Sequence, residues 1–180
     1  MRVNVASTLE GEVVCDIGGC GSGGPGADGL ASADWLTTLS EERRKVETEW
    51  LGKLDSEQFR VLRMKGTEPI HSGEYNDLMD DGIYHCAGCD KPLYTAAHKF
   101  QSGHGWPAFS DNLPDALARH EHGKTRKIEI VCAGCDGHVG HVFKSKRYPP
   151  PHHERHCVNS VSLRFVPRAE CAAVLPAAAG

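Results

Sequence analysis

The sequence predicts a mainly β protein, an antiparallel β core preceded by short helices and pinned by a structural zinc site. Three observations carry that expectation. Two identical Cys-Ala-Gly-Cys-Asp turns, Cys86 to Asp90 and Cys132 to Asp136, each follow a strand-like run. From Gly66 onward, short runs rich in β-branched and aromatic residues are broken by Gly, Pro, Asp and Asn. Before Gly66 the apolar residues recur at helical spacing among charges.

Composition bounds the function. The chain has 180 residues, 39% hydrophobic and 24% charged, with a net charge of -4, enough for one buried domain. No apolar run approaches the roughly 18 residues that span a bilayer, so a membrane helix is not expected. The acidic balance argues against a nucleic-acid partner. Eight cysteines in this length are too sparse for a disulfide scaffold and are spaced for metal and redox chemistry, which suits a reducing compartment. Met1 to Gly11 lacks a secretory pattern, and Glu10, Glu12 and Asp16 run against the acid-poor habit of transit peptides. The expectation is a cytoplasmic monomer, with organellar targeting left open.

The elements follow in order. Seven of the twelve residues from Gly18 to Gly29 are glycine, so residues 1–34 read as a flexible arm carrying Cys15 and Cys20. Thr38 with Glu41 reads as a capping box, with Leu39, Val46 and Trp50 as the apolar stripe of the first helix. Asp55 with Gln58 repeats the cap. That second helix runs through Phe59 and Leu62 and stops at Gly66 in a left-handed conformation. Strands are expected at Ile83 to His85, Lys127 to Val131, His141 to Phe143 and Cys157 to Phe165. The domain spans 35–167, and the alanine-rich 168–180, with Cys171, reads as a frayed tail.

Each CxxC turn points two thiolates at one cation, and two such turns close a tetrahedral site. Cys86, Cys89, Cys132 and Cys135 are therefore the candidate zinc ligands. A dithiol redox role is the competing reading, but nothing nearby resembles the βαβ context of a thioredoxin fold. Zinc here supplies folding energy and holds two β segments together rather than performing chemistry.

Of the remaining thiols, only Cys157 lies in an expected strand. Alternation would put Arg155, Cys157, Asn159, Val161, Leu163 and Phe165 on one face, with the guanidinium favouring the thiolate. Local evidence leaves a reactive thiol and a buried small hydrophobe side by side. His138 and His141, just beyond the second metal turn, are able to relay protons near neutral pH. Trp106, held by Pro107, and Phe109 are either core filling or the wall of a small apolar pocket.

Taken together, Lys-Gly-Thr-Glu at 65–68, Ser-Gly-Glu-Tyr at 72–75, Tyr84-His85-Cys86, Gly105-Trp106-Pro107, Gly140-His141-Val142-Phe143 and Arg155-His156-Cys157-Val158-Asn159-Ser160 resemble the methionine-R-sulfoxide reductase B family from about Phe59 to Pro167. The resemblance implies two antiparallel sheets around the active site, with zinc away from the chemistry. It implies Cys157 as nucleophile, Arg155 as its activating charge, and His138, His141 and Asn159 as polar active-site residues. It also implies Trp106, with Phe109 and Phe143, around the substrate methyl group. Oxidised-methionine proteins or peptides are the implied substrates, and thioredoxin the implied reductant. One departure stands out: His104 occupies the position between glycines where many members carry a resolving cysteine. Cys20, Cys15 and Cys171 are the substitute candidates. The Tyr-Pro-Pro-Pro-His-His run at 148–153 is expected to alter peptide access.

Two rival classes remain at this stage. A zinc-stabilised binding module would show a basic, aromatic-studded surface, whereas Lys124 to Lys127 and Lys144 to Arg147 read as solvated loop faces. A redox sensor would share the activated cysteine and differ in turnover.

Overall fold

The computed structural model describes residues 35–121 and 127–171; the expected arm with Cys15 and Cys20, most of the Lys124 to Lys127 cluster and residues 172–180 lie outside them. Helix α1 (Glu41–Leu51) starts at Ser40, whose hydroxyl accepts from the Arg43 N–H, with Glu41 and Glu42 in the first turn. The expected Thr38–Glu41 box does not form, because Thr38 Oγ1 instead donates to the Trp35 carbonyl. Nor does the helix bury the predicted stripe: Val46 is exposed, and the fully buried residue is Glu47. Its carboxylate is tolerated there because Arg63 donates to both oxygens, at 2.8 and 2.9 Å, and Arg43 adds a third bond.

Helix α2 (Ser56–Leu62) carries the expected capping box: Gln58 N–H donates to Asp55 at 2.8 Å, and Asp55 N–H donates back to the Gln58 side chain. It buries Phe59, Val61 and Leu62. The left-handed residue after it is Lys65 (φ 59), not Gly66. Gly66 is needed for closeness instead, since a Cβ there would stand 2.9 Å from the Arg60 carbonyl.

Eight strands form two antiparallel sheets. They are β1 (Gly82–Cys86), β2 (Pro92–Thr95), β3 (Ala108–Phe109), β4 (Leu117–Glu121), β5 (Lys127–Cys132), β6 (His138–Lys144), β7 (Glu154–Val158) and β8 (Leu163–Pro167). One sheet has the order β2-β1-β8 and the other β3-β7-β6-β5-β4. Tyr84, Leu93, Tyr94, Phe109, Ile130, Val142, Val158 and Leu163 fill a shared core. The expected strand Cys157 to Phe165 is broken: β7 ends at Val158, a 3-10 turn covers Ser160–Ser162, and β8 continues in the other sheet. The break has a local cause. The Glu68 carboxylate accepts the Ser160 and Val161 N–H groups at 2.8 and 3.1 Å, withdrawing them from any ladder. After Pro167 the chain forms a short helix, α3 (Arg168–Cys171), rather than fraying at once.

Candidate active site

The two metal turns are copies in geometry as well as in sequence. Each closes with a bond from the final Asp N–H to the first Cys carbonyl, at 2.9 Å in both. In each the left-handed residue is that Asp, Asp90 (φ 64) and Asp136 (φ 56), rather than the glycine. Gly134 N–H does face the Cys132 sulfur, at 3.4 Å. The four sulfurs of Cys86, Cys89, Cys132 and Cys135 lie within 4.8 Å of one another, with Cys86 to Cys135 at 3.7 Å and Cys89 to Cys132 at 3.5 Å. A tetrahedron with metal–sulfur bonds of about 2.3 Å has edges of roughly 3.8 Å, so the donor set fits a thiolate-bound cation. Because Cys86 ends β1 and Cys132 ends β5, the cluster joins the two sheets. Arg63, donating to the Cys135 carbonyl at 2.7 Å, ties α2 to it.

Strand β7 sets the other site. On one face stand Arg155 and Cys157; on the other, Glu154, His156 and Val158. Cys157 pairs with His141 on β6 and with Ala108 on β3, and His141 in turn pairs with Glu129 on β5. Paired residues share a face, so thiol, imidazole and carboxylate line one row of the sheet. His138 joins this row through a ring contact with His141 at 5.2 Å. Trp106, half-buried, stands two residues before Ala108, and its indole N–H donates to the Glu68 carbonyl at 3.1 Å. The four-cysteine cluster is remote: Cys132 is three residues along and two strands across from Cys157, roughly 14 Å by strand spacing.

The Cys157 thiol is half-buried. Burial pushes its pKa up, Arg155 and Lys127 pull it down, and Glu68 pushes it up again. Desolvation is the largest of these effects, and the Arg155 guanidinium opposes it by favouring the thiolate. Arg155 is itself buried, its guanidinium 4.8 Å from the Phe143 ring and 5.3 Å from the Tyr148 ring, with Nε and Nη1 lacking partners. His138 Nε2 is likewise buried and unpartnered. Tyr148 also borders a cavity of about 440 Å³ shared with Phe100, Ser102, Arg147 and Pro149.

Cys157, Arg155, His141, His138 and Phe143 stand together on one side of the sheet, and two other expected residues do not join them. Asn159 is not on the strand face; it caps the 3-10 turn, its side chain donating to the Val139 carbonyl and accepting from Glu68 N–H. Phe109 is fully buried and stacks on Tyr94 at 4.1 Å, so it fills the core and does not wall a pocket. Of the alternative resolving thiols, Cys171 ends α3.

Sequence reasoning missed two buried carboxylates. Glu68 links Trp106, Asn159 and the turn after Cys157. Glu129 is 3% exposed and lies 2.8 Å from both His138 Nδ1 and Lys65 Nζ. An acidic residue in the middle of the apolar run Lys-Ile-Glu-Ile-Val-Cys was the available signal.

The fold is a two-sheet β domain whose four clustered cysteines could hold a metal ion, with a half-buried thiol beside buried polar atoms that lack partners. The SelR domain matches residues 54–167, and the chain belongs to that family. It is 58% identical over 131 residues to peptide methionine sulfoxide reductase B2, chloroplastic, of Arabidopsis thaliana, covering 73% of this chain and 65% of that protein. To reductase B3, chloroplastic, of Oryza sativa subsp. japonica it is 54% identical over 127 residues, covering 71% and 56%. To reductase B5 of the same rice it is 52% identical over 128 residues, covering 71% and 94%. The chain thus spans less than two thirds of the first two relatives.

Proposed function

We propose that the protein reduces the R epimer of methionine sulfoxide, in proteins or peptides, through a sulfenic acid on Cys157. The observation that carries this reading is Cys157, half-buried, in one row with His141, together with buried atoms that lack a hydrogen-bond partner, His138 Nε2 and Arg155 Nε and Nη1. A sulfoxide oxygen is the acceptor these groups lack. The thiol proton goes to an imidazole as sulfur attacks, and Arg155 stabilises the charge that forms. Oxygen passes to Cys157, the substrate sulfur gains two electrons and leaves as a thioether, and His138 or His141 supplies the proton the oxygen keeps. The thiol becomes sulfenic acid. Trp106 and Phe143 bracket the methyl group, and the cavity beside Tyr148 takes the flanking peptide.

Recycling needs a resolving thiol, which condenses with the sulfenic acid to form a disulfide and release water, and an external dithiol, which reduces that disulfide to two thiols and is itself oxidised to a disulfide. We assign the first to Cys20 or Cys15 of the 1–34 arm, with Cys171 next, and the second to thioredoxin or a similar dithiol. Zinc is the cation we assign to the four-cysteine cluster, where it would be structural. Among the described residues no helix is long and apolar enough to cross a membrane. We place the protein in the reducing cytoplasm as a monomer without nucleic acid; the chloroplastic names of two relatives make a plastid the other location, which fractionation decides.

An epimer-resolved assay tests the proposal: thiol-dependent loss of the R but not the S sulfoxide is expected, and activity on S alone overturns it. Mass mapping after one turnover without reductant tests recycling, and Cys157 oxidised with no disulfide removes the arm thiols from it.

A further inference from the structure

We propose that Glu129, held by Lys65, is a positioning residue that fixes which nitrogen of His138 exchanges the proton in this reaction; the inference rests on the reading of Cys157 above. Glu129 sits mid-strand on β5, buried, with one carboxylate oxygen 2.8 Å from Lys65 Nζ and the other 2.8 Å from His138 Nδ1. An ammonium only donates hydrogen bonds, so the carboxylate is an acceptor. Its other oxygen therefore accepts from His138, and Nδ1 carries the hydrogen. Nε2 is left as the atom that takes or gives a proton. That atom is buried and unpartnered, a state that costs free energy until a group with a lone pair or a proton arrives.

Lys65 supplies a second, independent observation. It is a non-glycine residue held at φ 59, in the sparsely populated left-handed region, at the point where α2 gives way to the loop leading to Glu68. Its position brings a cation across 64 residues of sequence to the one carboxylate in this row. The charged and titratable groups around Glu129 are Lys65 from the loop, Lys127 on its own strand, His120 on β4, His138 and His141 on β6, and Arg155 and Cys157 on β7. In that largely cationic surrounding, Glu129 supplies the negative charge that faces His138, and Lys65 shares that charge. The two should therefore act with opposite sign. Removing the carboxylate charge makes protonated His138 less favourable, and removing the ammonium makes it more so.

The test uses the full, metal-loaded chain. In nitrogen-edited NMR of the imidazoles, the native protein is expected to show His138 with hydrogen on Nδ1, and Glu129→Gln a mixed or reversed tautomer. With a peptide methionine-R-sulfoxide, Glu129→Gln is expected to lower kcat about 10- to 100-fold with KM little changed. The limb of the pH–rate profile that follows imidazole protonation should move to lower pH in Glu129→Gln and to higher pH in Lys65→Met, each by about half a unit to one unit. An unchanged tautomer and unchanged profile in Glu129→Gln, with only thermal stability reduced, would overturn the assignment. Should Glu129→Gln not fold, the half-exposed Lys65→Met carries the test alone, and a profile that fails to rise sinks it. If the wild type proves inactive on the R epimer, the Cys157 reading fails while the tautomer measurement still judges the Glu129–His138 pair.

Discussion

The two faces of β7 are built from the same five residues to opposite ends. On the core face, Glu154 receives both Arg119 nitrogens at 2.9 and 2.8 Å and Lys144 at 3.3 Å, while fully buried His156 bonds Tyr94 through Nδ1 and Glu154 through Nε2. On the outer face, Arg155 keeps two buried nitrogens without partners beside a half-buried thiol, and the neighbouring His138 keeps one. Saturated polar groups specify a structure; unsaturated ones hold binding capacity in reserve. The difference separates the face that fixes the strand in the core from the face to which we assign the chemistry.

The comparison breaks most sharply at the sulfurs. Cys157→Ser should reduce turnover to background, on the order of 10⁴-fold or more, with metal content and circular dichroism unchanged. A variant that keeps activity would end the case for the outer face. Cys132→Ser should do the reverse in kind, losing metal and the cooperative fold together, because structural zinc supplies about 10 kcal/mol or more in small domains. Metal analysis with thermal unfolding checks it, and a cooperative, metal-free variant would show that the cluster is dispensable.

On the core face the expected effect is a pH dependence of stability. Burial, then Arg119, holds His156 down at about 4 against an ordinary 6.5, with Glu154 opposing. The unfolded chain therefore takes the proton first. His156 contributes its full share above pH 6.5 and loses it as pH falls to about 4, a change of about 3 kcal/mol. Denaturant titrations across that window should show stability falling with pH in the native protein and a shallower slope in His156→Gln. An equal slope in both would place the titration elsewhere.

What could be read from the chain depended on how local the interaction was. The Asp55–Gln58 cap and the CxxC turns are set within a few residues, and both were legible; around Cys157 the shared face with Arg155 was legible but the place of Asn159 was not. The Thr38–Glu41 box had the same signature and failed, because Ser40 offered a cap two residues nearer the helix. Glu47 and Glu68 were illegible as buried groups, and Glu129 showed itself only as an acidic residue inside an apolar run. Each has a partner far along the chain, 16, 91 to 93 and 64 residues away, beside the nearer Arg43 and His138, and a carboxylate in sequence looks solvated until topology encloses it. The same distance hid the break after Val158, since the carboxylate that ends the strand comes from the loop after α2. Phe109 was misplaced because aromatic spacing does not say which side of a two-residue strand faces the core.

The smallest effect asks whether the faces are independent. Phe143→Leu removes one of the two rings that hold the Arg155 guanidinium, at about 1 kcal/mol or less of stability. Tyr94→Phe removes the hydroxyl that meets His156 on the other face, at about 1 kcal/mol. Their effects on Cys157 should nevertheless diverge. The guanidinium opposes the burial that pushes this thiol up, so loosening it in Phe143→Leu should slow alkylation by iodoacetamide at neutral pH, whereas Tyr94→Phe should leave the rate at the native value. Equal slowing in both would mean that the strand transmits disorder from one face to the other, and that the outer groups are poised by the whole sheet rather than by their own neighbours.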